Sequence, residues 1–120
     1  VISSGLLTMR ALEAARQLAG DKVGVAVLHC PTIKPLDAAT ILAEARRPGR
    51  LVVVAENHSA VGGLGEAVAS LLLQEGVTPA RFRMLALPDT FLDAGALPTL
   101  HDRYGISTAK VAESLKAWLA

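Results

Sequence analysis

Residues 51–55 read Leu-Val-Val-Val-Ala, five apolar positions with no polar residue among them. A strand with one wet face alternates polar and apolar. An unbroken apolar run of this length suits a strand covered on both faces, as in a parallel sheet with helices on either side. A polar turn comes next, Glu56-Asn57-His58-Ser59, then Gly62-Gly63-Leu64-Gly65 and a helical stretch through Leu71, Leu72 and Leu73 to Gly76. Strand, turn and helix in that order point to a layered α/β architecture.

The same alternation runs along the whole chain. Val1-Ile2-Ser3 reads as the tail of a strand. Leu7, Ala11, Ala14, Ala15 and Leu18 recur at helical spacing, and Gly20 comes after them as a stop signal. Val23 to Leu28 is a second apolar run, expected as a strand buried on both faces. Pro31 and Pro35 break the chain before a helix with Asp37 as N-cap and a stripe of Ile41, Leu42 and Ala45. Arg81-Phe82-Arg83-Met84 alternates, so the strand from Phe82 to Leu87 is expected at a sheet edge. A short helix ends at Tyr104-Gly105. The last helix is capped by Ser107 and turns Val111, Leu115, Trp118 and Leu119 inward.

Composition removes several function classes. The chain has 120 residues, 52% of them hydrophobic but only 3% aromatic, and a net charge of +1. So weak a positive charge and so few aromatic rings leave neither a phosphate-binding field nor a base-stacking platform, and no nucleic acid is expected as partner. No apolar run approaches the ~20 residues that span a bilayer, so no membrane is expected either. A single cysteine, Cys30, points to a reducing, cytoplasmic setting. The aliphatic surplus remains to be placed. A chain this short buries only about two-thirds of its unfolded surface, so part of the surplus is expected to face a partner.

In open parallel sheets, ligands gather outside the carboxyl ends of the strands. The candidate loops are therefore Ser3-Ser4-Gly5, His29-Cys30-Pro31, Glu56 to Gly65 and Pro88-Asp89-Thr90. The strongest is the third. A glycine-rich helix start offers free N–H groups and a positive dipole end, which suit a small anion, with His58 and Lys34 as further contacts. The same residues have a second reading: the glycines let the helix approach the sheet, and the polar side chains cap it or face a neighbouring domain. The spacing fits neither a dinucleotide fingerprint, because Val68 stands where a third glycine is needed, nor a Walker loop. Cys30 reads as a small buried residue, and His29, Cys30, Glu56, His58 and His101 lack the short spacings of zinc sites. Arg81 and Arg83 read as solvated ends, with a phosphate clamp alongside Lys34 as the alternative.

The motifs in sequence carry a family resemblance. Thr32-Ile33-Lys34-Pro35-Leu36-Asp37 resembles the loop that opens the second helix in the C-terminal domain of transketolase. Val52-Val53-Val54-Ala55-Glu56-Asn57-His58-Ser59 followed by Gly62-Gly63-Leu64-Gly65-Glu66-Ala67-Val68 is similar to that domain's signature. Pro88-Asp89 after the fourth strand and Tyr104-Gly105 before the last helix keep the register over nearly the whole chain.

The resemblance implies a parent enzyme that uses thiamine diphosphate and Mg²⁺ to move a two-carbon ketol unit between sugar phosphates, as in the pentose phosphate pathway. It implies that residues 1–120 are a single, N-terminally truncated third domain. Cofactor and catalytic groups would lie on the two domains before it, so this chain is expected to bind no cofactor or metal and to be inactive alone. Its expected role is assembly, packing on other domains or on a subunit of a homodimer or split-subunit enzyme. Glu56, Asn57, His58, Ser59, Gly62, Gly63, Gly65 and Lys34 would form an anion-binding or interdomain loop. The same third domain occurs in 2-oxo-acid dehydrogenase beta chains and in deoxyxylulose-phosphate synthase; Asn57-His58 and the intact Gly-Gly-Leu-Gly favour transketolase.

The implied fold is three-layer α/β/α, with four parallel strands in the order 2-1-3-4 and without the family's antiparallel edge strand. An exposed strand edge beside Val1-Ile2-Ser3 and an apolar surface patch are expected to recruit a partner.

Overall fold

The computed structural model describes all 120 residues. Four strands and five helices succeed one another: β1 (Ile2–Ser3), α1 (Leu6–Gly20), β2 (Leu28–His29), α2 (Ala38–Ala45), β3 (Leu51–Ser59), α3 (Leu64–Gln74), β4 (Arg81–Leu87), α4 (Leu97–Arg103) and α5 (Thr108–Leu119). The sheet order is β2-β1-β3-β4, and every pairing is parallel.

β3 explains its own sequence. Val52 and Val54 point to one face, where they pack with Ile41, Leu64, Val68 and Leu72 of α2 and α3. Val53 and Ala55 point to the other and meet Leu7, Leu18, Val111 and Leu115 of α1 and α5. Alternate side chains of one strand thus enter two cores, so no position can be polar. Each valine fully buried this way contributes about 1.5–3 kcal/mol. The helix starts obey the capping residues: Asp37 Oδ1 accepts from Thr40 N–H at 3.2 Å, and Ser107 Oγ accepts from Lys110 N–H at 3.3 Å.

Four expectations fail: Glu56 to Ser59 continue β3 instead of forming a turn, Leu119 of α5 is 46% exposed instead of facing inward, and two more concern the strands at the start of the chain. Val23 to Leu28 is not a strand buried on both faces. Only Leu28 and His29 pair, while Gly24 and Ala26 are exposed. Ile2 lies opposite both Leu28 and Val54, and Ser3 opposite both His29 and Ala55, so the pairing of β2 is confined to its last two residues. A cleft of about 330 Å³ lies beside Val1, bordered by Val25, Ala26, Arg50, Leu51 and Leu115. Nor is β1 an exposed edge. It pairs on both sides, and the open edges belong to β2 and β4.

The apolar surplus is partly accounted for at the surface. Of ten large hydrophobic side chains left exposed, six come after strand ends: Leu6, Met9, Ile33, Val61, Phe91 and Leu92. They sit on the segments that leave the carboxyl end of the sheet.

Candidate functional site

The topological switch point lies between β1 and β3. Ser4 N–H donates to the carbonyl of Ala55 at 3.2 Å, which brings the β1 exit beside Glu56, in the second half of β3. Glu56 succeeds Ala55 on β3 and is buried, with 2% of its surface exposed. Its carboxylate turns back onto the start of α3. Oε2 accepts from Leu64 N–H at 2.7 Å and Oε1 accepts from Gly65 N–H at 2.8 Å. These are N–H groups that a helix leaves without internal partners, and a negative charge there is favoured by the helix dipole. The anion at this helix start is therefore a side chain of the protein itself.

The glycines make room for it. A Cβ on Gly63 would stand 2.3 Å from Glu56 Oε2, and one on Gly65 would stand 2.4 Å from the Met84 methyl of β4. Gly62 serves differently. Its φ is +76°, and its N–H donates to Glu66 Oε2 at 2.8 Å. Between these fixed ends the remaining residues turn outward. Ser59 Oγ accepts from Val61 N–H at 3.2 Å. His58 Nδ1–H donates to the Ser59 carbonyl at 2.8 Å, and the ring is exposed. Asn57 is exposed.

The other candidates are not gathered here. Lys34 is exposed on the loop after β2, on the far side of β1 from β3, and makes no hydrogen bond or ion pair. Arg81 and Arg83 lie toward the start of β4, at the opposite end of the sheet from the β2 exit. They donate to the carbonyls of Trp118 and Phe82, so a clamp with Lys34 does not form. Cys30 is 5% exposed, and burial, with Asp37 nearby, pushes its thiol pKa up, which keeps it protonated and unreactive. No group of three His, Cys, Asp or Glu side chains converges to hold a metal ion.

The pattern of residues did not reveal one polar chain. The buried Ser3 hydroxyl lies 2.9 Å from Thr8 Oγ1, which lies 2.8 Å from His29 Nδ1. Three elements meet there, β1, α1 and β2. Only the pairing of Ser3 with His29 makes them neighbours. Nothing in the local sequence signals it.

Thiamine diphosphate does not fit the residues present. The one glycine-rich helix start is filled by Glu56, the space above Gly63 is taken by the same carboxylate, and no ligand set for a divalent ion accompanies it.

A four-stranded parallel sheet of this order, with a carboxylate closing the helix start at its switch point, defines an open parallel α/β domain. The family model for the transketolase C-terminal domain matches residues 1–111, and the chain belongs to that family. An uncharacterized transketolase family protein of Sinorhizobium fredii is 66% identical over 99% of this chain and 34% of its own length. A 1-deoxy-D-xylulose-5-phosphate synthase of Geobacter sulfurreducens is 40% identical over the full chain but only 19% of its own length. Among solved structures, a split gene transketolase in an inactive beta4 tetramer superposes with a TM-score of 0.83 and 32% identity, covering 98% of this chain and 37% of that one. The chain thus spans about a third of the first relative and a fifth of the second.

Proposed function

We propose that this chain is the assembly-bearing C-terminal part of a thiamine-diphosphate-dependent transketolase-type enzyme, and that it holds no catalytic group of its own. The observation that carries this reading is the Glu56 clamp. The loop that would offer a phosphate its N–H groups spends two of them on an internal carboxylate. What remains outward is Asn57, His58 and Val61, in company with the exposed apolar residues that leave the other strands. A polar loop amid apolar side chains suits packing on another domain better than a soluble ligand. In this reading residues 56–65 are an interdomain loop, and Lys34 is a flanking contact.

A split-subunit parent is the version we favour. The Sinorhizobium fredii relative is about three times the length of this chain, and so is the split-gene structure, whereas the synthase is about five times as long. The reaction proposed for the parent is ketol transfer between sugar phosphates. A reducing cytoplasmic setting accords with the single buried cysteine, and no helix is long and apolar enough to cross a membrane.

Calorimetric titration of the chain with thiamine diphosphate and Mg²⁺ tests the first part, with no heat of binding expected at micromolar concentration. A micromolar site would overturn the reading. Millimolar phosphate is likewise expected to leave the amide resonances of Leu64 and Gly65 unmoved, because both N–H groups are engaged; a saturable shift there would restore the anion site.

A further inference from the structure

Helix α4 is lightly anchored. Of its residues only His101 is buried, at 3% exposure, while Leu97 is 57% exposed. The imidazole is held from α1. Arg10 Nη2 donates to His101 Nδ1 at 2.7 Å, and Arg10 Nη1 donates to the carbonyl of Ile106 just ahead of α5. A guanidinium has donors only, so Nδ1 must carry a lone pair and the ring is neutral, with its proton on Nε2. The backbone carbonyl of His101 accepts in turn from the N–H groups of Ile106 at 2.8 Å and Ser107 at 3.0 Å.

The segment before α4 hangs on the same point. Asp93 N–H donates to Tyr104 Oη at 3.1 Å, and the Arg103 guanidinium donates to the Asp93 carboxylate. Every hydrogen bond made by residues 89–96 ends within residues 88–104; none reaches the sheet.

We infer that His101 is a pH-operated latch: one proton on its imidazole frees α4 and the 89–96 loop from α1 while the sheet stays folded. Protonated Nδ1 would present a donor to the Arg10 donor, with two positive charges in contact at a part-buried site. No carboxylate makes a hydrogen bond or ion pair with His101 or Arg10. On α1, Glu13 is exposed and paired with Arg16. On α4, Asp102 accepts from the Ser107 hydroxyl, and Arg103 is taken by Asp93. On α5, Lys110 is paired with Glu113. Burial, and then the charge of Arg10, lower the His101 pKa from 6.5. The released state has the ordinary value and binds the proton first. The latch is therefore complete above pH 6.5 and is lost as pH falls from there through the lowered value. The part set free carries Phe91, Leu92 and Leu97, so acidification alters an apolar surface of the molecule.

Amide hydrogen exchange on the full chain, read alongside the His101 ring resonances over the same pH series, tests this. Exchange is corrected for its intrinsic pH dependence. Local opening of residues 97–103 is expected to rise by up to about tenfold per pH unit inside that window, with β3 and β4 protection unchanged. A His101→Asn variant sets a non-titrating acceptor near the Nδ1 position and is expected to remove the pH dependence. Opening of that variant with the wild-type pH profile would overturn the proposal. If the variant leaves α4 detached at every pH, the wild-type titration decides: a ring that titrates without a matching change in 97–103 exchange overturns it equally.

Discussion

Glu56→Ala is expected to lower the free energy of unfolding by about 3–5 kcal/mol, read as a lower urea midpoint at unchanged slope. The substitution removes both acceptors of the Leu64 and Gly65 N–H groups at a site where Glu56 is 2% exposed. Each donor left dry costs about 1–3 kcal/mol, and the loss of a charge at the helix start adds to it. Against the ~5–15 kcal/mol that keeps a domain folded, this is the largest single-residue effect expected outside the cores. Glu56→Gln should fall between alanine and wild type, since its amide keeps one acceptor but turns a donor toward the second N–H. A loss below about 1 kcal/mol for the alanine variant would mean that water enters and replaces the carboxylate.

Gly63→Ala is expected to cost about 3 kcal/mol for a different reason. The backbone of Gly63 is extended, with φ −99° and ψ −166°, so alanine meets no conformational strain there. The new methyl instead lands 2.3 Å from Glu56 Oε2, and that oxygen is pinned by Leu64. Gly65→Ala makes as close an approach, 2.4 Å, but to the free end of the Met84 side chain. An unbranched thioether can swing aside, and about 1 kcal/mol is expected there. The decisive measurement is the double variant. If the clash with the carboxylate is the whole cost, Gly63→Ala should become nearly neutral in the Glu56→Ala background, a coupling of about 2–3 kcal/mol. Additive losses would mean that Gly63 is needed for some other contact.

These residues show what a sequence can and cannot disclose. β3 was legible because both of its faces are covered, and α2 and α5 because Asp37 and Ser107 announce their starts. The strand order came from the family resemblance, since periodicity says nothing about which strands are neighbours. Residues 23–26 misled because an apolar run shows hydrophobicity but not whether a partner stands in register. At the site, Glu56 and the glycines stood out at once, but their relation did not. A carboxylate eight residues before Leu64 can face solvent, a ligand or the helix start, and only the backbone path decides. The Met84 contact with Gly65, and the Ser3–Thr8–His29 chain, join residues distant in sequence and leave no local trace.

The Glu56 clamp also has a consequence for recognition. It ties the second half of β3 to the first turn of α3, and Ser59 and Ala60 in between pair with Leu87 of β4, so residues 57–62 are held at both feet and at the middle. Fixing a backbone residue costs roughly 1–2 kcal/mol of entropy, and here that ordering is completed when the domain folds. A neighbour that meets these residues finds a preorganised shape and need not freeze it. Because Asn57, His58 and Val61 are exposed, their side chains are free to vary with the surface they meet. Stability and partner choice are thereby written in separate residues of one short segment.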